Sequence, residues 1–245
     1  MRQIDQLIDI CHRLYAKGFV TATDGNVSVR LENGNFLTTR TSVNKGAVTA
    51  EDLVEADLTG KSLTSNLKPS TEFGMHLYIY SQRPDVNAVV HAHPTYATGF
   101  AAARQALDTC VFPEVIVGLG AIPLADYATP STDEVASSLA PYVKNADAIL
   151  LANHGVVTYG KDLYDAYFKM EKVEHAAHIM FVARLLGGEK ALSSAQVEKL
   201  RAISQQSYGK EFSGKPACET RDQSHAEIPT GEEIRFIVRQ MIQKV

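Results

Sequence analysis

The spacing of apolar residues at the start of the chain predicts a helix followed by a hairpin. Apolar side chains recur at helical intervals across residues 4–15, and Gly18 follows as a stop signal, so we expect an amphipathic helix there. Residues 27–31 then alternate between apolar and polar as far as Asn33-Gly34, a dipeptide that favours tight hairpin turns. Residues 36–39 are expected to return as the second strand.

Apolar runs and helical periodicities alternate through the chain as far as residue 208. The predicted strands are 86–90, 115–117, 121–124, 148–151 and 156–158. The predicted helices are 69–83, a short helix after Pro94, one capped by Ser131 or Thr132, 162–186 and 193–208. This order of elements predicts an α/β fold in which helices cover a central sheet.

The last part of the chain differs in character from the rest. We expect a catalytic domain at residues 1–210 and a C-terminal extension at 211–245 that forms a lid or an interface. Residues 212–231 are polar and contain glycine and proline, which is typical of a flexible connection. A final helix is predicted at 232–244, with four apolar residues on one face: Ile234, Val238, Met241 and Ile242.

The composition indicates a water-soluble globular protein and excludes several classes of partner. With 245 residues, 45% of them hydrophobic and 21% charged, the chain can bury a substantial core in one domain. The formal charge of -4 and the scattered Lys and Arg residues argue against nucleic acid. We expect neither a signal peptide nor a membrane partner, because no long apolar block occurs. Three widely spaced cysteines fit a reducing cytoplasm, the location that we expect.

Three histidines at strand ends form the strongest candidate for a functional site. Side chains alternate along a strand, so His91 and His93 share one face while Ala92 points away. His154 ends another predicted strand and precedes Gly155, where a close backbone turn is easy. A single histidine is more often a hydrogen-bonded or surface residue. Three neutral imidazoles with an open fourth position, however, suit a catalytic zinc ion.

The other histidines have weaker context. His175 and His178 lie three residues apart on the predicted long helix, which indicates a helix face or a core contact. His76 lies one turn after Glu72, and we expect it to support Glu72 or to pack, with metal binding as the alternative. Two more have no supporting context: His12 and His225.

Five short motifs occur in order along the chain. They are Gly25-Asn26-Val27-Ser28, Pro69-Ser70-Thr71-Glu72, His91-Ala92-His93, Asp126-Tyr127-Ala128-Thr129 and Asn153-His154-Gly155. Together they resemble the class II aldolase and adducin family, most closely its L-fuculose-1-phosphate aldolase branch, over roughly residues 5–190. The resemblance implies one three-layer α/β domain with a mainly antiparallel central sheet.

The resemblance also assigns roles at the site. It implies that His91, His93 and His154 bind zinc, with Mn²⁺ or Co²⁺ as alternative ions. Glu72 is implied as an acidic residue that sits on the metal or leaves it to move a proton, the alternative being a first-turn carboxylate that interacts with the helix dipole. Tyr127 is implied as an acid toward the aldehyde oxygen in a neighbouring subunit's site, the alternative being a packing tyrosine.

A phosphate site made of hydroxyls and amides at turns is implied as well. Its residues are Thr23, Gly25, Asn26, Thr41, Ser42, Ser70 and Thr71. Two positions depart from the family pattern, since Asp24 stands where a small residue is frequent and Ser42 stands where the aldolase branch commonly has glycine. An exposed Asp24 would repel phosphate unless it points away. Lys45 is a candidate compensating charge, but we expect it to be solvated.

The implied activity is zinc-dependent, reversible cleavage of a ketose 1-phosphate. The substrate would be L-fuculose 1-phosphate or a similar deoxyketose phosphate, and the products dihydroxyacetone phosphate and a short aldehyde such as lactaldehyde. The implied assembly is a fourfold-symmetric homotetramer with active sites between subunits.

Other branches of the family offer alternatives at the same metal site, namely sugar-phosphate 4-epimerase, dehydratase and decarboxylase reactions. The 60 residues between His93 and His154 favour the aldolase, because epimerases tend to carry a longer insertion there and an aspartate in place of Glu72. A non-catalytic adducin-like scaffold is also an alternative, and the presence of Glu72 and all three histidines argues against it.

Overall fold

The computed structural model describes residues 2–209. A seven-stranded sheet lies at the centre of this part of the chain. Its strands are β1 (Asn26–Arg30), β2 (Phe36–Thr39), β3 (Leu53–Ala56), β4 (Ala88–Ala92), β5 (Leu124–Ala125), β6 (Ala148–Leu151) and β7 (Gly155–Gly160). Their order is β3-β2-β1-β4-β7-β6-β5, and only the pairing of β5 with β6 is parallel among these strands. The prediction of a mainly antiparallel central sheet is therefore confirmed.

Helices cover the sheet on both faces, which gives three layers. They are α1 (Gln3–Ala16), α2 (Phe73–Gln82), α3 (Thr95–Ala102), α4 (Pro113–Gly118), α5 (Glu134–Leu139), α6 (Leu163–Leu185) and α7 (Ser194–Tyr208). In β6, Leu150 packs in a core formed with α1, α3 and α6, while its neighbour Ile149 packs in a core formed with α2 and α5. Because side chains alternate along a strand, this is the pattern of a sheet buried on both faces.

Most elements predicted from the apolar pattern are present, with shifted ends. The opening helix, the hairpin and the two long helices α6 and α7 form where predicted. The predicted strand at 121–124 is reduced to β5, and the predicted helix at 69–83 begins at Phe73. The N-cap of α5 is Asp133, one residue beyond the two predicted caps, and the Thr132 hydroxyl before it accepts a hydrogen bond from the backbone N–H of Glu134 at 3.3 Å.

The strand predicted at 115–117 is wrong, because these residues belong to α4. Pro113 lies in the first helical turn, where its missing N–H leaves no helical bond unmade. Val115 packs on the main core, and Ile116 packs against Val197 of α7. Tertiary contacts therefore override the strand preference of three consecutive β-branched residues. Strand β3 has no counterpart among the predicted strands.

The predicted connection at 212–231 and the predicted helix at 232–244 lie outside the described residues. The division into a domain at 1–210 and an extension at 211–245 therefore stays a prediction. Across residues 2–209, no helix combines the length and the apolar character that crossing a membrane requires.

The register of three neighbouring strands brings the candidate site residues to one end of the sheet. Asn26 of β1 lies opposite His91 of β4, and Ala92 of β4 lies opposite Val156 of β7. The turn between β6 and β7 carries His154, so this histidine lies beside the end of β4. Side chains from the ends of β1 and β4 and from this turn therefore meet at one place.

We expect Leu150→Ala to lower the free energy of unfolding by about 2–5 kcal/mol, because Leu150 is fully buried and its truncation leaves a cavity. Leu58→Ala is the matched control, since Leu58 is 69% exposed and its truncation should change stability by no more than about 0.5 kcal/mol. Urea unfolding followed by circular dichroism measures both variants. Equal destabilisation would contradict the placement of β6 between two cores.

Candidate metal centre

The end of β4 positions two of the three candidate ligands. His91 is the penultimate residue of the strand and is fully buried, while His93 follows the strand and is partly exposed. The alternation of side chains puts both rings on the same face. The backbone N–H of His93 donates to the carbonyl oxygen of Phe19 at 2.8 Å, which fixes the chain just beyond the strand.

His154 reaches the same place from the turn between β6 and β7. Asn153 has a φ of +57°, a left-handed conformation that asparagine adopts more readily than most residues. A Cβ on Gly155 would lie 2.5 Å from Cδ2 of His93 and 2.6 Å from the carbonyl oxygen of Ala92. Glycine at this position therefore lets the turn approach β4 closely.

The three imidazole rings converge on one point. Their centroids lie 4.9 Å apart for His91 and His93, 4.8 Å for His91 and His154, and 5.0 Å for His93 and His154. One nitrogen from each ring lies within 4.8 Å of the other two. The Nε2 atoms of His91 and His93 are 3.1 Å apart. Two nitrogens on one tetrahedral zinc would be separated by about 3.3 Å, so the donor set fits such an ion.

A hydrogen bond selects which nitrogen of His91 faces this point. Its Nδ1 N–H donates to the carbonyl oxygen of Val156 at 2.9 Å, which leaves the Nε2 lone pair directed at the other rings. Burial lowers the pKa of His91 to about 4 and the pKa of His93 to about 4. Both rings are therefore neutral near pH 7, which is the form that binds a metal.

The Glu72 carboxylate lies beside the three rings. Glu72 immediately precedes α2, and its oxygens lie 3.1 Å from Nε2 of His154 and 3.4 Å from Nε2 of His91. The side-chain amide of Asn26 donates to its Oε2 at 2.9 Å. Burial alone raises the pKa of Glu72, but the two histidines and Asn26 outweigh burial and lower that pKa below its usual value. An ionised Glu72 suits a metal ligand or a general base.

Asp24, which departs from the family pattern, faces the outer edge of His93. Its Oδ2 lies 4.0 Å from Nδ1 of His93, and its side chain is 48% exposed. Nε2 of His93 faces His91, so Nδ1 is the nitrogen that points away from the three-ring cluster. Carboxylates that accept a hydrogen bond from this nitrogen orient metal-ligating histidines in many proteins, but 4.0 Å exceeds hydrogen-bond distance. Asp24 therefore lies beside His93 without a direct hydrogen bond to it.

The other candidate histidines have separate surroundings. His76 is fully buried, and its Nδ1 lies 2.7 Å from the hydroxyl oxygen of Ser28, which is 2.8 Å from the Tyr80 hydroxyl. Burial lowers the pKa of His76 to about 3, so the ring is neutral. On α6, the exposed His178 stacks on Tyr96 with ring centroids 3.9 Å apart. Neither histidine belongs to the group of three that converges at the end of β4.

The residues predicted to bind phosphate lie on three neighbouring loops, at 21–26, 41–44 and 69–71. The amide of Asn44 donates to the carbonyl oxygen of Ala22 at 2.8 Å and joins the first loop to the second. Backbone hydrogen bonds join the second to the third, from Thr41 to Lys68 at 3.0 Å and from Ser70 to Thr39 at 3.2 Å. Three of the predicted side chains are exposed: Thr23, Ser42 and Thr71.

Three residues of these loops have left-handed backbone conformations: Ala22, Gly25 and Ser42. Gly25 has a φ of +72°, and a Cβ there would lie 2.8 Å from the carbonyl oxygen of His91. Ser42 has a φ of +55°, a conformation that favours glycine and accounts for the glycine expected at that position. Asn26 stays a predicted phosphate contact, and its side-chain amide donates a hydrogen bond to Glu72. This hydrogen bond connects the first loop directly to the metal centre.

Lys45 contradicts the expectation of a solvated side chain. It is 1% exposed, and its Nζ donates to the carbonyl oxygens of Thr23 at 2.9 Å and Val43 at 2.8 Å. The neighbouring Gly46 leaves room for the ring of Tyr15, since a Cβ on Gly46 would lie 2.4 Å from that ring. Sequence reasoning missed this residue, because a lysine between asparagine and glycine has the pattern of a surface turn.

Tyr127 lies two residues beyond β5 and is 54% exposed. It is not among the residues that converge with the three histidines. An exposed tyrosine is accessible to a neighbouring subunit, as the role assigned by resemblance requires. That role stays a prediction.

We expect Gly155→Ala to reduce the divalent metal bound per chain, because the added methyl would overlap the ring of His93 and the carbonyl of Ala92. Gly99→Ala is the matched control, since a Cβ on this residue of α3 meets no atom within 4 Å. Metal content after gel filtration, together with the thermal unfolding midpoint, measures both. Full metal content in a folded Gly155→Ala protein would contradict the close approach of the turn to β4.

Comparisons with known proteins show which family this chain resembles. The sequence profile of the Class II Aldolase and Adducin N-terminal domain matches residues 5–181. An L-fuculose phosphate aldolase from Methanococcus maripaludis is 36% identical over 184 residues, covering 75% of this chain and 98% of the relative. A 3-oxo-tetronate 4-phosphate decarboxylase from Pectobacterium atrosepticum is 33% identical over 182 residues, covering 72% and 83%. The L-fuculose-1-phosphate aldolase structure from Thermus thermophilus gives a TM-score of 0.68 at 31% identity, covering 78% and 98%.

The matched region contains every group of the candidate metal centre. Residues 5–181 include Glu72 and all three converging histidines, and they span most of the described fold. The profile covers well over half of the chain, and both relatives exceed 30% identity. The chain therefore belongs to the class II aldolase and adducin family, and it is an enzyme of the lyase class.

Proposed function

We propose that the protein is a zinc-dependent aldolase that reversibly cleaves a ketose 1-phosphate. The substrate is L-fuculose 1-phosphate or a similar deoxyketose phosphate, and the products are dihydroxyacetone phosphate and a short aldehyde such as lactaldehyde. One observation carries the proposal: the Glu72 carboxylate lies 3.1 Å from His154 and 3.4 Å from His91, where the three imidazoles converge. A proton-transfer group therefore lies beside a set of metal donors.

His91, His93 and His154 would hold the ion, because neutral imidazole nitrogens suit zinc and leave a coordination position open. Mn²⁺ or Co²⁺ is the alternative ion. When bound, the metal supplies a Lewis acid that stabilises the negative charge developing beside the ketose carbonyl, a contribution of several kcal/mol in such sites. Burial of His91 favours this binding, since it keeps the ring neutral.

Proton transfer belongs to two side chains in this proposal. In the condensation direction, the ionised Glu72 removes a proton from the hydroxymethyl carbon of dihydroxyacetone phosphate, and the electron pair left on that carbon attacks the aldehyde carbon. The phenol of Tyr127 donates its proton to the aldehyde oxygen. Exchange with water then removes the proton from Glu72 and reprotonates Tyr127, and cleavage follows the same steps in reverse. The hydrogen bond from Asn26 holds the Glu72 carboxylate in place.

The substrate phosphate would bind to the three loops at 21–26, 41–44 and 69–71. Their predicted contacts are Thr23, Gly25, Asn26, Thr41, Ser42, Ser70 and Thr71. Left-handed residues such as Gly25 and Ser42 support this role, because they let successive backbone N–H groups converge on an anion. Asp24 does not oppose it directly, since its carboxylate faces His93.

Decarboxylation of a 3-oxo acid phosphate is the second candidate, favoured by the 33% identity to the Pectobacterium atrosepticum enzyme. Loss of carbon dioxide from such an acid also leaves an electron pair on carbon next to a carbonyl. The same metal and Glu72 would therefore serve either reaction. Epimerase and dehydratase reactions are further alternatives at the same site. A non-catalytic scaffold would have no need for a carboxylate held among three converging imidazoles.

We expect the zinc-loaded protein to form a new carbon–carbon bond between dihydroxyacetone phosphate and at least one member of a panel of short aldehydes. Product analysis by mass spectrometry measures the adduct. Carbon dioxide release from a 3-oxo acid phosphate without any adduct would favour the decarboxylase instead.

Glu72→Gln should lower turnover by about 10²-fold or more, because the amide cannot accept the proton. Metal content should remain that of the parent protein. Glu51→Gln is the control, since Glu51 is exposed on a surface turn. Turnover and metal content are measured on the same samples, and full activity in Glu72→Gln would remove this carboxylate from the mechanism.

We further propose a homotetramer in which Tyr127 acts in the site of a neighbouring subunit, an arrangement consistent with its exposure. Glu72→Gln and Tyr127→Phe proteins should each be nearly inactive. After mixing and subunit exchange, about a quarter of the sites in a one-to-one population would hold both intact groups. Activity that rises toward this fraction supports the shared site. No recovery in demonstrably mixed tetramers would place both residues in one subunit's site.

A further inference from the structure

Lys45 is a buried cation that takes no part in the proposed metal binding or proton transfer. Its side chain is 1% exposed. Its Nζ donates to two backbone carbonyl oxygens, those of Thr23 at 2.9 Å and Val43 at 2.8 Å. Burying an ammonium group is costly unless its environment or a ligand compensates the charge. A fully buried lysine beside the site therefore requires an explanation.

The two carbonyls belong to the two loops that carry most of the proposed phosphate contacts. Thr23 is itself one of those contacts, and Val43 follows Ser42 directly. Because Nζ is buried, both carbonyl oxygens point toward the interior of the protein. The negative ends of these peptide dipoles are thereby turned away from the outer side of the loops. An anion on that side meets less repulsion from the backbone.

The charge of Lys45 is also poorly neutralised by its neighbours. The two acceptors at hydrogen-bond distance are uncharged carbonyls. Burial raises the pKa of the nearby Cys11 thiol to about 12, so this thiol stays neutral. Burial lowers the pKa of Lys45, and the charges of Asp24 and Glu72 oppose this shift, although Asp24 is about half exposed, where water screens it. A buried charge is screened much less, so a positive potential extends through the loops.

We propose that Lys45 is a positioning residue for the substrate phosphate: its ammonium draws the carbonyls of two loops inward and supplies a positive potential behind them. This inference rests on the proposed function, because it needs a phosphorylated substrate. The positive potential of Lys45 would also explain how the loops accept a dianion although Asp24 lies within the first loop. Lys45 does not touch the reacting carbons and takes no part in proton transfer.

Lys45→Gln separates the charge from the hydrogen bonds, because a glutamine amide still donates to carbonyl oxygens but carries no charge. Isothermal titration of inorganic phosphate into the zinc-loaded full chain should show affinity about tenfold or more below the parent protein. Lys61→Gln, at an exposed lysine, is the control and should change phosphate affinity less than about twofold. Zinc content should be equal in all three proteins.

Lys45→Arg keeps the charge and is expected to regain part of the phosphate affinity lost in Lys45→Gln. In assays with dihydroxyacetone phosphate, Lys45→Gln should raise KM and leave kcat nearly unchanged, a division that a loss of general stability would not produce. If Lys45 only stabilises the two loops, Lys45→Gln should have a lower unfolding temperature and the same phosphate affinity as the parent protein. That outcome would overturn the inference.

A second measurement covers the case in which Lys45→Gln does not fold. In the parent protein, the Nζ resonance of Lys45 should shift when inorganic phosphate saturates the site, while that of Lys61 should not. Absence of a shift at saturation would overturn the inference. If phosphate binds but no carbon–carbon bond forms, the proposed aldolase activity is wrong and the role of Lys45 in phosphate binding holds. If the adduct forms but Lys45→Gln binds phosphate as tightly as the parent protein, the aldolase activity holds and the role of Lys45 is wrong.

Discussion

The antiparallel pairing of β4 with β7 is the constraint on which the rest of the site depends. It brings the turn that carries His154 beside the end of β4, and it supplies the Val156 carbonyl that orients His91. A shift of one residue in this register would move His91 to the opposite face of the sheet. Gly155 allows the approach, since any larger residue there would overlap His93.

Burial controls the charge state of the groups that meet at this place. It keeps His91 and His93 neutral, so their lone pairs are available to a cation. Glu72 stays ionised because its contacts with His91, His154 and Asn26 outweigh its own burial and lower its pKa. A divalent ion at the centre would compensate this carboxylate. The buried Lys45 lies on the side of the neighbouring loops, where a second anion, the phosphate, would bind. The proposed site would thus separate a region for a cation from a region for an anion.

Local patterns in the sequence predicted the parts of the site that depend on local geometry. The two-residue period of a strand places His91 and His93 on one face, and a glycine after His154 indicates a close turn. The contact between Asn26 and Glu72 joins residues 46 positions apart, and no local pattern indicates it. The burial of Lys45 likewise depends on loops that meet only in the folded chain.

The fold shows the same division between local and long-range causes. Alternation and helical periodicity predicted most of the strands and helices that form the two cores. They failed at 115–117, where a β-branched run forms α4 because Pro113 begins a helical turn and Ile116 packs on α7. They also missed β3, a short strand that is defined by its pairing with β2. The role proposed for Tyr127 would depend on a neighbouring subunit, which no pattern within one chain can place.

The most direct test of the central claim is zinc K-edge X-ray absorption on the zinc-loaded full chain. The account predicts three imidazole nitrogens at about 2.0–2.1 Å from the ion, with the remaining coordination supplied by oxygen. Substitution of His154 by alanine should remove one of the three imidazole contributions. A spectrum dominated by sulfur ligands, or one that is unchanged by loss of His154, would contradict the claim that His91, His93 and His154 share one metal ion.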